Sequence, residues 1–351
     1  MEALIFSFTR HGSVLSLSIL AFLKKKGWKA ASLTVRQFAE QDRELGEITP
    51  NLQEAVQEAF LKAELIVFVG AVGIAVRSVA PFIKSKQTDP AVIVVDESGA
   101  FVIPILSGHI GGANAWSHKI AAHLHGQAVI TTATDVNHLF AVDEWAVQHH
   151  LIMPAARIVK AFSAALLEQG KAGIYSDFPI QGELPPGLEN VSSGRLGVAV
   201  TLQKECRPFD QTVLLHPRIL HLGIGCRRGT EEAAIAGLVY RELRRLGISM
   251  NTVAAAGTID IKRSEPGLTR FFRTYTLPVH YYSAVELQQL PGNFTRSEFV
   301  LQTVAVDNVC ERAAVLSSGG GSLLLDKTVA DGVTLAIACE NFTVSFDTVR
   351  R

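Results

Sequence analysis

The chain has 351 residues, 48% of them hydrophobic and 19% charged, and its 33 basic and 33 acidic side chains leave a formal net charge of zero. At ~150 residues per domain this length predicts two to three domains, and the balance excludes a mainly disordered chain. Neutrality argues against nucleic acid or an anionic membrane as a bulk electrostatic partner, so an anionic ligand must be held by local cations or backbone amides.

Residues 1 to about 64 read as a small α/β unit. Leu4–Phe8 is apolar with Glu2 ahead of it, the wrong order for a signal peptide, and predicts an opening strand. The polar turn Thr9–Ser13 leads to a helix near Val14–Lys26. Leu52, Ala55, Val56, Ala59 and Phe60 recur at helical spacing within Thr49–Lys62. Leu65–Val69, apolar and rich in β-branched residues, predicts a buried parallel strand. The uncharged run it opens, Leu65–Val76, has twelve residues and two glycines, against the ~20 a membrane helix needs. Gly70-Ala71-Val72-Gly73 turns into a helix, Ile74–Phe82. Val92–Val95 and Phe101–Leu106 are strands joined by the tight turn Asp96–Gly99. Ser107–Asn114 leads into a helix over Ala115–His123, and Ala128–Thr131 is a strand followed by Thr132–Asp135.

This alternation predicts an α/β chain with mainly parallel sheets covered by helices. Ligands of such sheets gather at the carboxyl ends of the strands. Asp96, Ser107, His109, Thr131, Thr132 and Asp135 all follow predicted strands, which puts the candidate site there. Residues 139–216 form a middle region with helices at Asp143–His150 and Ala155–Gln169, strands at Ala172–Tyr175 and Leu196–Leu202, and a Pro/Gly loop at Phe178–Leu188. His216-Pro217 marks a boundary, so the expected domains are 1–138, 139–216 and 217–351. In the last, a separate α/β domain, Ile219–Ile224 is a strand and Gly225–Gly229 a turn. Thr230 is expected to cap a long helix with Glu231 and Glu232 in its first turn. Ser283-x-x-Glu286 reads as a capping box, and Ser317–Ser322 is a glycine-rich loop. Cys206, Cys226, Cys310 and Cys339 form no CxxC pair, which fits a reducing cytoplasm.

The sharpest constellation is Gly108-His109-Ile110-Gly111-Gly112. Glycines ahead of a helix let backbone N–H groups approach a carboxylate or a developing oxyanion, and His109 can serve as general acid or base. Ser107 and Asn114 flank it. A tight strand-to-helix turn is the competing explanation of the glycines. Gly70-x-x-Gly73 followed by Arg77 is a weaker version, Arg77 either pairing with a carboxylate or lying over apolar neighbours. Asp96, Thr131, Thr132 and Asp135 suit turn capping as well as catalysis. Eight of the eleven histidines fall in residues 1–150, yet they include no HExxH, and no metal site is expected. Gly223-x-Gly225-x-x-x-Gly229 is one residue too long for a dinucleotide fingerprint. Arg227, Arg228 and Lys262 suit an anionic group, and Cys226 reads as a packed thiol with only His221 nearby.

Several of these segments resemble the CbiG family: Val69-Gly70-Ala71-Val72-Gly73-Ile74-Ala75-Val76-Arg77, Ser107-Gly108-His109-Ile110-Gly111-Gly112-Ala113-Asn114, Thr131-Thr132-Ala133-Thr134-Asp135, Gly223-Ile224-Gly225-Cys226-Arg227-Arg228-Gly229-Thr230 and Asp260-Ile261-Lys262-x-x-Glu265. The resemblance spans nearly the whole chain in three parts. Gly257 departs from it, standing near a position where serine or threonine is expected. The resemblance implies a cobalt-precorrin-5A hydrolase of anaerobic cobalamin biosynthesis, opening a δ-lactone on a cobalt tetrapyrrole and releasing acetaldehyde. It implies no protein cofactor, since cobalt arrives with the substrate, and only transient contact with other pathway enzymes. In that chemistry His109, Asp96 and Asp135 are the catalytic candidates. The amides of Gly111 and Gly112 are candidates for the oxyanion, a donor worth ~3–4 kcal/mol elsewhere. Arg77, Arg227, Arg228 and Lys262 are candidates for the substrate carboxylates. A non-catalytic tetrapyrrole carrier and a nucleotide-dependent oxidoreductase are the competing readings.

Overall fold

The structure is a computed structural model that describes residues 1–85, 88–109, 111–137, 139–298, 301–302 and 306–347. Ile110 and His138, both named from the sequence, lie outside the described residues. The chain divides into two units, Met1–Val147 and Gln148–Arg351. Among the described residues no helix is long and apolar enough to cross a membrane.

The first unit is built on a seven-stranded sheet of order β3-β2-β1-β4-β5-β6-β7. The strands are β1 (Glu2–Ser7), β2 (Lys29–Thr34), β3 (Leu45–Glu47), β4 (Leu65–Val69), β5 (Ala91–Val95), β6 (Phe101–Leu106) and β7 (Gln127–Ala128). All five residues of β4 are buried. Leu65, Val67 and Val69 enter one core with Ile19, Leu20 and Ile120. Ile66 and Phe68 enter another with Val56, Ala59, Ala75 and Val79. A strand covered on both faces needs an unbroken apolar run, which is how this one reads in sequence. The first core is roofed by helices α1 (Arg10–Lys25) and α5 (Ala113–Leu124), the second by α3 (Leu52–Lys62) and α4 (Val72–Val79). β2, β3 and the short helix α2 (Arg36–Ala39) were not expected. The first two turns of α1 and the strands beneath pack through hydroxyls. Ser13 Oγ lies 2.8 Å from Thr34 Oγ1, and Ser32 donates to Ser16 at 2.9 Å. That polar interior hides β2 from a reading based on hydrophobic pattern.

One strand runs against expectation. β6 is antiparallel to β5, with Val95 opposite Val102 and Val92 opposite Leu106, because the turn at Asp96–Gly99 makes a hairpin. The residues after β4 and β5 and the residues after β6 therefore lie at opposite edges of the sheet. Six residues of β6 separate those edges, about 17 Å. β7 is parallel to β6, so the chain leaving it returns to the edge where β6 ends. The expectation that all the polar loop residues share one edge is corrected here.

The second unit contains a four-stranded parallel sheet, β10-β8-β11-β12, formed by β8 (Ala172–Ser176), β10 (Leu188–Asn190), β11 (Gly194–Val200) and β12 (Phe209–Leu215). Its second sheet has the order β15-β14-β13-β17-β16. There β13 (Leu220–Cys226), β14 (Val253–Ile259) and β15 (Val279–Tyr282) are parallel, and β17 (Val333–Cys339) and β16 (Ser322–Ala330) are antiparallel. Helix α9 (Glu232–Arg245) packs Ile235, Leu238, Val239 and Leu243 into the main core of this unit. The capping box at Ser283 and Glu286 is present. Thr230 does not cap α9. Its hydroxyl donates to the Arg227 carbonyl at 2.8 Å, and Glu231 occupies the cap position.

Candidate active site

Where β6 ends, Ser107 takes φ +55° and the chain turns through Gly108, His109, Gly111 and Gly112 into α5. A Cβ at Gly111 would stand 2.4 Å from that of Ser107, and one at Gly108 2.8 Å from Asn114 Oδ1. Gly111 is sterically required, and a Cβ at Gly108 would force the Asn114 amide to move. The loop closes on itself: the N–H groups of Gly112, Ala113 and Asn114 donate to the carbonyls of His109, Ser107 and Gly108. The Gly112 amide, expected to face an oxyanion, is thus engaged within the turn. Ser107 donates its hydroxyl to the Asp89 carbonyl at 2.9 Å and anchors the loop.

This folding presents His109. Its Nε2 lies 2.8 Å from Asp135 Oδ2, and its Nδ1 lies 3.7 Å from Asp143 Oδ1. Asp135 is held in turn by buried Asn114, whose Nδ2 donates to Asp135 Oδ2 and to Thr132 Oγ1, both at 3.0 Å. Asp135 lies on the short helix α6 (Ala133–Val136), Asp143 on α7 (Val142–Gln148). An imidazole within reach of an oriented carboxylate is placed as a general acid or base is placed. Glu144 completes the group. Burial pushes its carboxyl above the ordinary range, with Asp135 and Asp143 adding to the rise and His109 opposing it. One ligand atom each from His109, Asp135 and Glu144 lie within 4.8 Å of one another, a spacing that can also hold a cation. Sequence reading missed Asp143 and Glu144. A buried aspartate at the start of an apolar helix was the available signal.

Other expected site residues lie elsewhere. Asp96 sits at the opposite edge, where its carboxylate closes the hairpin by accepting from the Phe101 N–H at 2.6 Å and from Ser98. Burial would raise its pKa, but those hydrogen bonds outweigh it and hold the carboxyl low. Gly70, Gly73 and Arg77 share that edge. The Arg77 guanidinium folds back over Gly73, 3.4 Å from where a Cβ would be. Thr131 is exposed.

In the second unit, Arg227 and Arg228 are exposed, but Lys262 is tied to buried Glu265 at 3.2 Å. Burial opposes ionisation of Glu265, yet the Gly229 N–H and the Lys262 ammonium outweigh it and keep the carboxyl below its ordinary range. Burial pushes the Cys226 thiol up. His221 is engaged elsewhere, with Ser317 and Glu340. Of the glycines that resemble a dinucleotide fingerprint, Gly223 serves packing. A Cβ at Gly223 would lie 1.7 Å from the Cys310 carbonyl of helix α12 (Cys310–Ser317). At Gly257 it would lie 2.5 Å from the Ala313 carbonyl, so a serine or threonine has no room there. The hydroxyl of Thr258 instead donates to the Ile224 carbonyl at 2.7 Å.

Three family descriptions match in order: Cobalamin synthesis G N-terminal at 54–135, Cobalamin biosynthesis central region at 140–217, and Cobalamin synthesis G C-terminus at 220–338. The chain is 35% identical over 295 residues to the cobalt-precorrin-5A hydrolase of Salmonella typhimurium, covering 80% of this chain and 83% of that protein. The chain belongs to the CbiG family. The cobalt-precorrin-5A hydrolase of Priestia megaterium, a second relative, is 30% identical over 317 residues, covering 85% of this chain and 84% of its own length. A cobalamin biosynthesis protein G homologue from Sulfolobus solfataricus gives a TM-score of 0.41 at 19% identity, over 96% of this chain and 97% of that one. As a CbiG protein, the chain is an enzyme of the hydrolase type. The His109 loop and Asp135 both fall within the N-terminal match.

Proposed function

We propose that this chain hydrolyses cobalt-precorrin-5A in cytoplasmic cobalamin biosynthesis, opening its δ-lactone and releasing acetaldehyde, with His109 as the proton-transfer group. The observation that carries this reading is the His109–Asp135 pair at 2.8 Å, oriented by Asn114. No protein-bound cofactor enters it, because the cobalt belongs to the substrate.

Asp135 accepts from the Nε2–H and orients the imidazole, which takes a proton from water attacking the lactone carbonyl. Asp135 holds the ring in orientation through the transfer. Burial keeps Glu144 protonated to higher pH, so it is suited to protonate the departing alkoxide. The freed hydroxyethyl group then loses its hydroxyl proton to a base. The carbon–carbon bond breaks, its electrons pass to the tetrapyrrole, acetaldehyde leaves, and a proton replaces it on the ring carbon. Asp96 and Arg77, about 17 Å away across the sheet, take no part in proton transfer.

The test is anaerobic turnover of cobalt-precorrin-5A with released acetaldehyde trapped. Asp135→Asn preserves shape but disturbs the imidazole tautomer, and turnover is expected to fall ~10²–10⁴-fold. Undiminished turnover by His109→Ala would remove the histidine from the mechanism. Tight binding with no turnover by the unmodified protein would leave a carrier.

A further inference from the structure

We propose that Ser317, His221 and Glu340 form a second catalytic site in this chain, an acyl-transfer site with Ser317 as nucleophile and a carboxylic ester or lactone as substrate. These residues lie in the Gln148–Arg351 unit, and the proposal stands apart from the His109 reading.

His221, on β13, is only 4% exposed, and both of its ring nitrogens are occupied. Nε2 is 2.6 Å from Glu340 Oε1 and Nδ1 is 2.7 Å from Ser317 Oγ. A carboxylate only accepts, so the ring hydrogen resides on Nε2. Nδ1 is then a lone pair, and the Ser317 hydroxyl donates to it. A serine directed at a base, with the base oriented by a carboxylate, is the arrangement that activates a nucleophile, and it is recognised by geometry rather than by chain order. The three residues come from separate elements: a central strand, the last residue of α12, and the residue following β17. Tethering the helix end to the sheet requires one hydrogen bond. A tether does not need a carboxylate behind the imidazole.

The surroundings are open enough for a substrate. Ser317 is half-buried, and Gly319 and Gly320 follow it at φ +66° and +87° with no atom within 4 Å of a Cβ at either. The imidazolium that forms on proton transfer sits beside the C-terminal end of α12, the favourable end for a cation.

In the reaction Ser317 Oγ bonds to the acyl carbon while its proton passes to His221 Nδ1. The acyl C–O bond then breaks, and the leaving alkoxide takes that proton. Water attacks the acyl-serine, giving a proton to His221. The carboxylic acid departs, and His221 returns the proton to Ser317.

The test exposes the full-length protein to an alkyl fluorophosphonate and, separately, to p-nitrophenyl acetate, and maps adducts by peptide mass spectrometry. A single adduct on Ser317 is expected, absent from Ser317→Ala. Glu340→Gln, a shape-preserving change at a half-exposed carboxylate, should slow labelling by about 10²-fold while its thermal midpoint stays close to that of the unmodified protein. His221→Gln should abolish labelling. No adduct on Ser317 under excess reagent, or equal labelling rates in Glu340→Gln, would overturn the proposal and leave the three residues as a packing tether.

Discussion

Gly108 shows how much of the site depends on one missing methyl group. Its absent Cβ leaves room for Asn114, and Asn114 fixes Asp135. Gly108→Ala is expected to displace the amide and lower turnover by about 10²-fold, with acetaldehyde release as the measurement and the fold retained. His109 and Asp135 were legible because each sits in a short motif after a strand. Asp143 and Glu144 were not, because a helical repeat reports a buried face without saying what that face adjoins. Glu144 gives a prediction with a definite sign. Its carboxyl is raised above the ordinary 4.5 by burial, so ionisation is disfavoured in the folded state. That penalty is absent at pH values below the ordinary carboxyl range and grows as pH rises through it. Glu144→Gln should therefore raise the urea midpoint at pH 7 and converge with the unmodified protein near pH 4, in about the range where free carboxyls titrate. A gain that persists unchanged at acid pH would show that the side chain acts through packing instead.

At the scale of elements, sequence pattern identified most strands and helices but not the direction of β6. Hydrophobic period is the same in either direction, and the turn Asp96–Gly99 suits a hairpin as readily as a link between parallel strands. That single reversal moved His109 to the edge opposite Asp96. The second informative contact is α12 lying directly on β13 and β14. Its backbone occupies the places of Cβ atoms at Gly223 and Gly257, so the first glycine of a pattern that suggests nucleotide binding is explained by helix-on-sheet contact. Gly223→Ala must push α12 off the sheet. A loss of at least ~4 kcal/mol in urea unfolding is expected, in the range reserved for severe core disruption. Gly257→Ser, the residue type expected from the family resemblance, should also destabilise. NAD should produce no thermal shift in the unmodified protein, and a dose-dependent shift would restore the nucleotide reading.

For the molecule as a whole, composition and alternation were enough for the α/β class, because every layered sheet needs apolar runs at a regular spacing. Where the units divide was harder to read. The sequence reading ends the first domain at residue 138. The compact unit runs to Val147 and includes α7, with Val142 and Ala146 fully buried and Phe140 and Trp145 nearly so, while the family matches break between 135 and 140. Asp143 of that helix also lies beside His109. Two fragments separate the alternatives. Residues 1–147 keep the helix and all four candidate acid–base groups, His109, Asp135, Asp143 and Glu144, whereas residues 1–138 lose Asp143 and Glu144 and the burial of four apolar side chains. At ~1.5–3 kcal/mol for a large buried side chain, and discounting for a compact unfolded state, the shorter fragment should be less stable by on the order of 5 kcal/mol. Urea unfolding followed by tryptophan-independent far-UV circular dichroism measures this directly. Equal midpoints would mean that α7 adds nothing to the stability of the first unit.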